Sequence, residues 1–247
     1  MGMVDISCYR GKTVVITGAA SGMGLCMSRS LCAVGAKVVM CDINAESVGR
    51  LADEIGAIAC PADVREYADA EKSAALAMER TGRIDLLVPF AGGFEARVLN
   101  SYRPFYEQPI EVIDWGVQVN LLGAVYFARA CMPHMIRARR GVICCIGSTA
   151  GFEGEGDGTM YGVSKSGLFS LVKGLSLAGA EYGVRAFCVS PGPVMTRPGM
   201  AAMRSLTGAA SPQEVVDFIL YLASDAGRCV VGSNHVIDCG RLIVKPD

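Results

Sequence analysis

The feature that most constrains this chain is a glycine cluster set between an apolar strand and a helix. Thr17-Gly18-Ala19-Ala20-Ser21-Gly22-Met23-Gly24 follows Thr13-Val14-Val15-Ile16 without a spacer. At such a turn Gly18 lets the chain reverse tightly, Gly22 lets the backbone approach a pyrophosphate, and Gly24 lets the next helix pack closely while its first amides face the anion. The spacing is TGxxxGxG, not the commoner GxGxxG. A strand entering such a turn opens a βαβ unit, so the rest of the chain is read for further units.

They recur almost from end to end. Short runs rich in Val, Ile, Leu and Cys read as strands at 13–17, 37–42, 57–60, 86–89, 142–146, 185–190 and 235–238. Helical periodicity fills 22–34, 45–55, 66–81, 110–136, 159–182 and 212–223, the last opened by Ser211, Pro212 and Glu214 as N-cap, first-turn proline and capping-box acid. The expected fold is α/β, a single-domain Rossmann-type doubly wound fold whose seven-stranded parallel sheet is flanked by helices. It spans 1–247 with a core at about 10–240, and no repeat or composition break divides it. The irregular stretches 91–109, 147–158 and 191–210 each follow a strand, which is where an open parallel sheet binds ligands.

A charged fraction of 19% and a net charge of -1 give no basic face for nucleic acid. The N-terminus meets Tyr9, Arg10, Gly11 and Lys12 before any apolar run, and no stretch is long and apolar enough for a bilayer. A soluble cytoplasmic protein with no membrane partner is expected. Eleven cysteines without a CxxC pair read as reduced, mostly buried thiols, and with two histidines no metal site is expected.

Asp42 ends the second strand about 20 residues beyond the glycine turn, where a carboxylate accepts from the adenosine ribose hydroxyls and repels a 2′-phosphate. No Arg or Lys stands at Ala19, Ala20, Ile43 or Asn44, so NAD(H) is favoured over NADP(H). The plainer reading of Asp42 is a turn acid before the next helix. Asp63, followed by Val64, could reach the adenine amino group or serve the loop alone.

Tyr161 and Lys165 open a predicted helix at i, i+4, one turn apart on one face. An ammonium beside the phenol would lower its pKa from about 10 toward working pH and make it an acid/base. Ser148, just past the strand at 142–146, could meet the same substrate oxygen, although a serine there also reads as a turn residue.

Together, TGAASGMG, Asp63, Asn120 in VNLLG, Ser148, YGVSK and Pro191-Gly192-Pro193-Val194-Met195-Thr196 resemble, in order and approximate spacing, the short-chain dehydrogenase/reductase family. The resemblance runs from about residue 10 to 240. It implies that Tyr161 exchanges a proton with the substrate oxygen held by Ser148, that Lys165 tunes Tyr161 and binds the nicotinamide ribose, and that Asn120 holds a water linked to Lys165. It also places Thr17, Gly18, Ser21, Gly22, Met23, Gly24, Asp42, Ile43, Asp63, Val64, Ala91, Gly92, Asn120, Tyr161, Lys165, Pro191, Gly192, Val194 and Thr196 on the cofactor, with Val194 and Thr196 at the carboxamide. The family's NNAG reads Pro89-Phe90-Ala91-Gly92 here, which loses the asparagine contacts but keeps room for close backbone approach.

The implied activity is interconversion of a secondary alcohol and a ketone. Between Thr196 and Pro212 there is no room for a two-helix lid, so an open site is expected, walled by Phe94, Tyr102, Phe105, Tyr106, Phe152 and Met160. Glu153, Glu155 and Asp157 would discourage an anionic substrate. A neutral cyclic alcohol or hydroxysteroid is the first reading, a 3-oxoacyl thioester reductase the second, and an NAD-binding sensor or scaffold without turnover a third. The resemblance also implies a homodimer or homotetramer.

Overall fold

The computed structural model of the chain describes residues 5–154 and 156–244. Seven strands, β1 (Thr13–Thr17), β2 (Lys37–Asp42), β3 (Ile58–Pro61), β4 (Leu86–Pro89), β5 (Gly141–Ile146), β6 (Val184–Pro191) and β7 (Asn234–Ile237), form one sheet in the order β3-β2-β1-β4-β5-β6-β7. Every pairing is parallel. The chain winds outward from β1 to β3 and then returns to β4 on the other side of β1, so the winding reverses between β1 and β4. A crevice opens there beyond the carboxyl ends of the strands.

The helices are α1 (Gly22–Ala33), α2 (Ala45–Ile55), α3 (Tyr67–Thr81), α4 (Glu95–Val98), α5 (Ile110–Val117), α6 (Gly123–Arg137), α7 (Ala150–Glu153), α8 (Thr159–Gly179) and α9 (Pro212–Ala223). Strand residues alternate between two cores. Val14, Ile16, Val38 and Met40 pack with Met27 and Leu31 of α1 and Val215 and Ile219 of α9. Val15, Val39, Leu87 and Ile143 pack with Ala70 and Ala74 of α3, Phe127 and Met135 of α6 and Leu168 and Val172 of α8. Burial on both faces explains why the strands read as unbroken apolar runs. All eleven cysteines are free thiols, and six of them are buried. No described helix is long and apolar enough to cross a membrane.

The expected capping box of α9 is present: Ser211 Oγ accepts from Glu214 N at 3.2 Å, and Ser211 N donates to Glu214 Oε2 at 2.7 Å. The single helix expected over 110–136 is instead broken by a π turn at Gln118–Leu122 between α5 and α6. There the Gly116 carbonyl accepts from Asn120 Nδ2 at 3.0 Å and from Ser164 Oγ at 3.3 Å, side-chain bonds that stand beside the altered helical ladder. The three stretches expected to be irregular each carry a short helix: α4 in the first, α7 in the second and a 3₁₀ turn at Pro198–Ala202 in the third.

Candidate active site

Two adjoining clefts lie at the carboxyl edge of the sheet. The one over β1 and β2, of about 510 Å³, is lined by the glycine turn, Asp42 and Asp63. Gly18 has φ +62°, and a Cβ on it would come within 2.8 Å of Ala91 N. A Cβ on Gly24 would strike the Gly18 carbonyl. Both positions therefore exclude a side chain for reasons of backbone packing, and they keep the start of α1 flush with the cleft. Ser21 is the N-cap of α1 and makes no side-chain cap bond. The helix presents its first amides beside a cradle of the shape a pyrophosphate needs, so these residues fit a dinucleotide.

Asp42 braces this cradle, accepting from Ala20 N and Asn44 N, each at 3.0 Å. Asp63 is engaged by its neighbour: Arg65 Nε donates to Oδ1 at 3.0 Å and the guanidinium pairs with Oδ2. That hydrogen bond holds the Asp63 carboxyl below the usual carboxylate range. Arg65 lines the same cleft, a neighbour the sequence reading did not weigh.

The second cleft, of about 400 Å³, runs over β4, β5 and β6 and holds Ser148, Tyr161 and Lys165 on its wall. Ser148 follows β5 by two residues, and its Oγ accepts from Ala150 N at 3.2 Å. Lys165 is buried, with Nζ donating to Ile146 O at 2.9 Å and lying 5.4 Å from the Tyr161 ring centre. Burial pushes the ammonium down to about 8, against the opposite pull of Cys188 and Cys145. For Tyr161 a second influence opposes the expected lowering. Burial raises the phenol above its ordinary value, and the Ser148 hydroxyl, then Arg197, oppose that rise, while Glu95 adds to it. Desolvation outweighs the favourable neighbours because the phenolate would carry its charge in a poorly solvated corner.

Of the residues expected on the cofactor, all line one or both clefts except Thr17 and Asn120. Thr17 is fully buried, and its Oγ1 accepts from Ala91 N at 3.0 Å. Asn120 stands behind Gly92, accepting from Gly93 N at 2.8 Å and donating to Gly93 O at 2.9 Å. Both stand behind the cleft wall and brace it.

The expected aromatic wall is mostly elsewhere. Phe94 lines the second cleft, edge-on to Tyr161 at 5.9 Å, whereas Tyr102, Phe105 and Tyr106 are exposed. Phe152 leans on Phe169 with ring centres 4.8 Å apart, and Met160 abuts Gly116. Met200 and Met203, from the segment after β6, supply apolar lining that the sequence reading missed. Of the carboxylates expected to repel anions, Glu153 lines the second cleft with its charge paired to Arg241 at 3.0 Å, Asp157 does not line the cleft, and Glu155 lies outside the described residues.

One further residue escaped the sequence reading. Glu95 is buried, and its Oε1 accepts from Tyr161 N at 3.0 Å, while Oε2 has no hydrogen-bond partner. It caps α8 from a different segment. The usable signal was negative: Gly158 at the N-cap offers no side-chain acceptor, so the first amides of α8 need one from elsewhere. Among the described residues, no group of three or more His, Cys, Asp or Glu side chains could hold a metal ion.

Comparison with known proteins agrees with this geometry. The short chain dehydrogenase family model matches residues 12–205. The chain is similar to the oxidoreductase UcpA of Salmonella typhimurium, with 33% identity over 94% of this chain and 95% of the relative. It is also similar to the cis-4-hydroxycyclohexanecarboxylate dehydrogenase of Sinomonas cyclohexanicum, with 31% identity over 96% of this chain and 98% of the relative. Among solved structures, a 7α-hydroxysteroid dehydrogenase complexed with NADH and 7-oxo glycochenodeoxycholic acid superposes with a TM-score of 0.85 at 26% identity, covering 96% of this chain and 98% of that one.

Proposed function

Since the chain belongs to the short-chain dehydrogenase family, we propose that it interconverts a secondary alcohol carried on a ring and the corresponding ketone, with NAD(H) as cofactor and Tyr161 as the acid/base. The observation that carries this reading is the convergence of Ser148, Tyr161 and Lys165 on one wall of a cleft that opens, past Gly92 and Thr196, onto the phosphate cradle. Relatives named for a hydroxycyclohexanecarboxylate and for a hydroxysteroid support the ring.

Nicotinamide, when bound, takes or supplies the hydride. The glycine turn and the first amides of α1 would hold its pyrophosphate, Asp42 the adenosine ribose hydroxyls, and Val194 with Thr196 the carboxamide. Asp42 supports NAD over NADP, because its carboxylate would repel a 2′-phosphate and Arg65, in the same cleft, already has its guanidinium on Asp63.

In ketone reduction the Tyr161 hydroxyl gives its proton to the substrate oxygen while the Ser148 hydroxyl donates a hydrogen bond to the same atom and stabilises its developing charge. Burial keeps Tyr161 in the protonated form this direction requires. In alcohol oxidation the phenolate is needed, and the Lys165 ammonium beside the ring, together with Ser148, favours it. Asn120 positions the wall by clamping Gly93. The reading extends to a cytoplasmic homodimer or homotetramer through α6 and α8, and sedimentation velocity reads the mass.

The test is the NAD(H)-linked absorbance change with ring alcohols and ketones, polyols and acyl thioesters, run in both directions with NADP(H) alongside. Turnover of ring alcohols with NAD is expected. Turnover confined to 3-oxoacyl thioesters would replace the reading with a reductase of that class, and NADH binding without any turnover would replace it with a sensor or scaffold.

A further inference from the structure

Two arginines stand where the two clefts join. Arg97 belongs to α4 in the segment after β4, and Arg197 follows Thr196 in the segment after β6. Each lines both clefts. Neither makes an ion pair among the described residues, although the surface arginines Arg29, Arg83 and Arg241 all do. Of the carboxylates nearest the site, Glu95 accepts from the Tyr161 amide through Oε1 and Glu153 is paired with Arg241.

The two guanidinium groups are close enough to feel one another. Burial and then the charge of Arg97 hold Arg197 below its ordinary pKa, with Tyr161 and Tyr102 pulling it back up. An anion between them would relieve the repulsion of two like charges in a cleft, and the guanidinium fork suits a carboxylate or a phosphate. A chain of net charge -1 has no general surplus of cations from which such a pair would arise.

A bound cofactor's phosphates are one source of that anion. The geometry points to the other source, because both arginines line the cleft that holds Ser148, Tyr161 and Lys165, at the reacting end of the crevice. Ser21, Gly22 and Gly24, the phosphate cradle, line the cofactor cleft alone.

Resting on the ring-alcohol reading above, we infer that Arg97 and Arg197 clamp a carboxylate on the substrate, at the end remote from the reacting carbon, so the substrate is a ring hydroxy acid or its keto acid. The expectation of a neutral substrate rested on carboxylates that stand elsewhere or are paired.

The experiment compares the wild-type protein with Arg97→Gln/Arg197→Gln on 4-hydroxycyclohexanecarboxylate and its methyl ester. The wild type should favour the acid in kcat/KM by about 10- to 100-fold, and the double variant should lose that preference through KM, its acid-to-ester ratio falling toward about 1. NADH affinity, from quenching of Trp115 fluorescence, should change by less than about 3-fold. Equal use of acid and ester by the wild type would overturn the clamp, as would a loss of NADH affinity as large as the loss of acid preference, which would assign the arginines to the cofactor phosphates.

A second arm needs no turnover. Cyclohexanecarboxylate is titrated calorimetrically into the NADH complex of each protein, and binding should weaken about 10-fold or more in the double variant. Unchanged binding overturns the clamp. If no ring alcohol is turned over, the ring-alcohol reading fails on its own and this titration still decides the arginines.

Discussion

The two clefts adjoin at Gly92 and Thr196 but are built by different means. The cofactor side is largely backbone: a turn in which Gly18 and Gly24 admit no Cβ, the start of α1, and the ends of β2 and β3, mostly drawn from one early stretch of the chain. The substrate side gathers side chains from the segments after β4, β5 and β6 and from α8. Shape governs the first, whereas charge and proton affinity, set by burial, govern the second. Substitutions on the two sides should therefore fail in separable ways.

The sharpest separation is expected at Tyr161. Tyr161→Phe keeps the ring against Phe94 and removes only the hydroxyl, so turnover should fall by about 10²- to 10⁴-fold while NADH affinity stays nearly constant. Steady-state rates beside fluorescence titration read both quantities. A comparable loss of NADH affinity would break the division between the clefts, and unimpaired turnover would remove Tyr161 from the chemistry.

On the cofactor side the corresponding change is Asp42→Arg. It replaces the acceptor at the end of β2 by a guanidinium, and the ratio of kcat/KM for NAD to that for NADP should shift toward NADP by about 100-fold. Because Asp42 also accepts from Ala20 N and Asn44 N, some loss of stability should accompany the shift. A variant that folds and keeps its NAD preference would disprove the ribose contact.

What the sequence made legible follows the same division. The turn from Gly18 to Gly24 and the capping box of Ser211 and Glu214 are local: each works through residues a few positions apart, so spacing alone reveals them. The alternation of strands and helices was readable because a parallel sheet buried on both faces leaves continuous apolar runs. The π turn at Gln118–Leu122 was not, since Ser164, one of the side chains that takes up the Gly116 carbonyl, comes from α8. Arg97, Arg197 and Glu95 look like ordinary charged residues until the fold brings their segments together. The opposing pull on the Tyr161 phenol is hidden for the same reason: a neighbouring lysine is visible in sequence, and the depth of burial is not.

That burial has a measurable consequence at Lys165. Its ammonium is shifted from the ordinary 10.5 to about 8, so keeping it charged at neutral pH opposes folding. Lys165→Met, which fills similar space without charge, should raise stability at pH 7 by about 2 kcal/mol after allowance for the lost bond to Ile146 O, and should abolish most activity. The unfolded chain keeps this proton up to about 10.5 and the folded chain releases it near 8. Through this group wild-type stability rises with pH across that interval, while buried thiols such as Cys131 and Cys145, held neutral in the fold, act in the opposite sense in both proteins, so the advantage of the variant should shrink over it. Urea unfolding at pH 7 and pH 10 measures the change. A constant gap would mean that the ammonium is better solvated than its surroundings imply.

The smallest effect is expected at Glu95, where a backbone device of the kind found in the cofactor cleft operates on the substrate side. Its Oε1 caps the Tyr161 amide while its charge raises the Tyr161 phenol, and two variants separate these actions. Glu95→Gln keeps an acceptor for the amide and removes the charge, so the pH profile of alcohol oxidation should move to lower pH with little change in unfolding. Glu95→Ala removes both and leaves the amide without a partner, costing about 1 kcal/mol of stability in addition to the same shift. If neither variant moves the pH profile, the charge does not reach the phenol. If Ala unfolds no more easily than Gln, the cap carries no weight, and α8 is held in place by Lys165 on Ile146 and by its packing against β5 and β6.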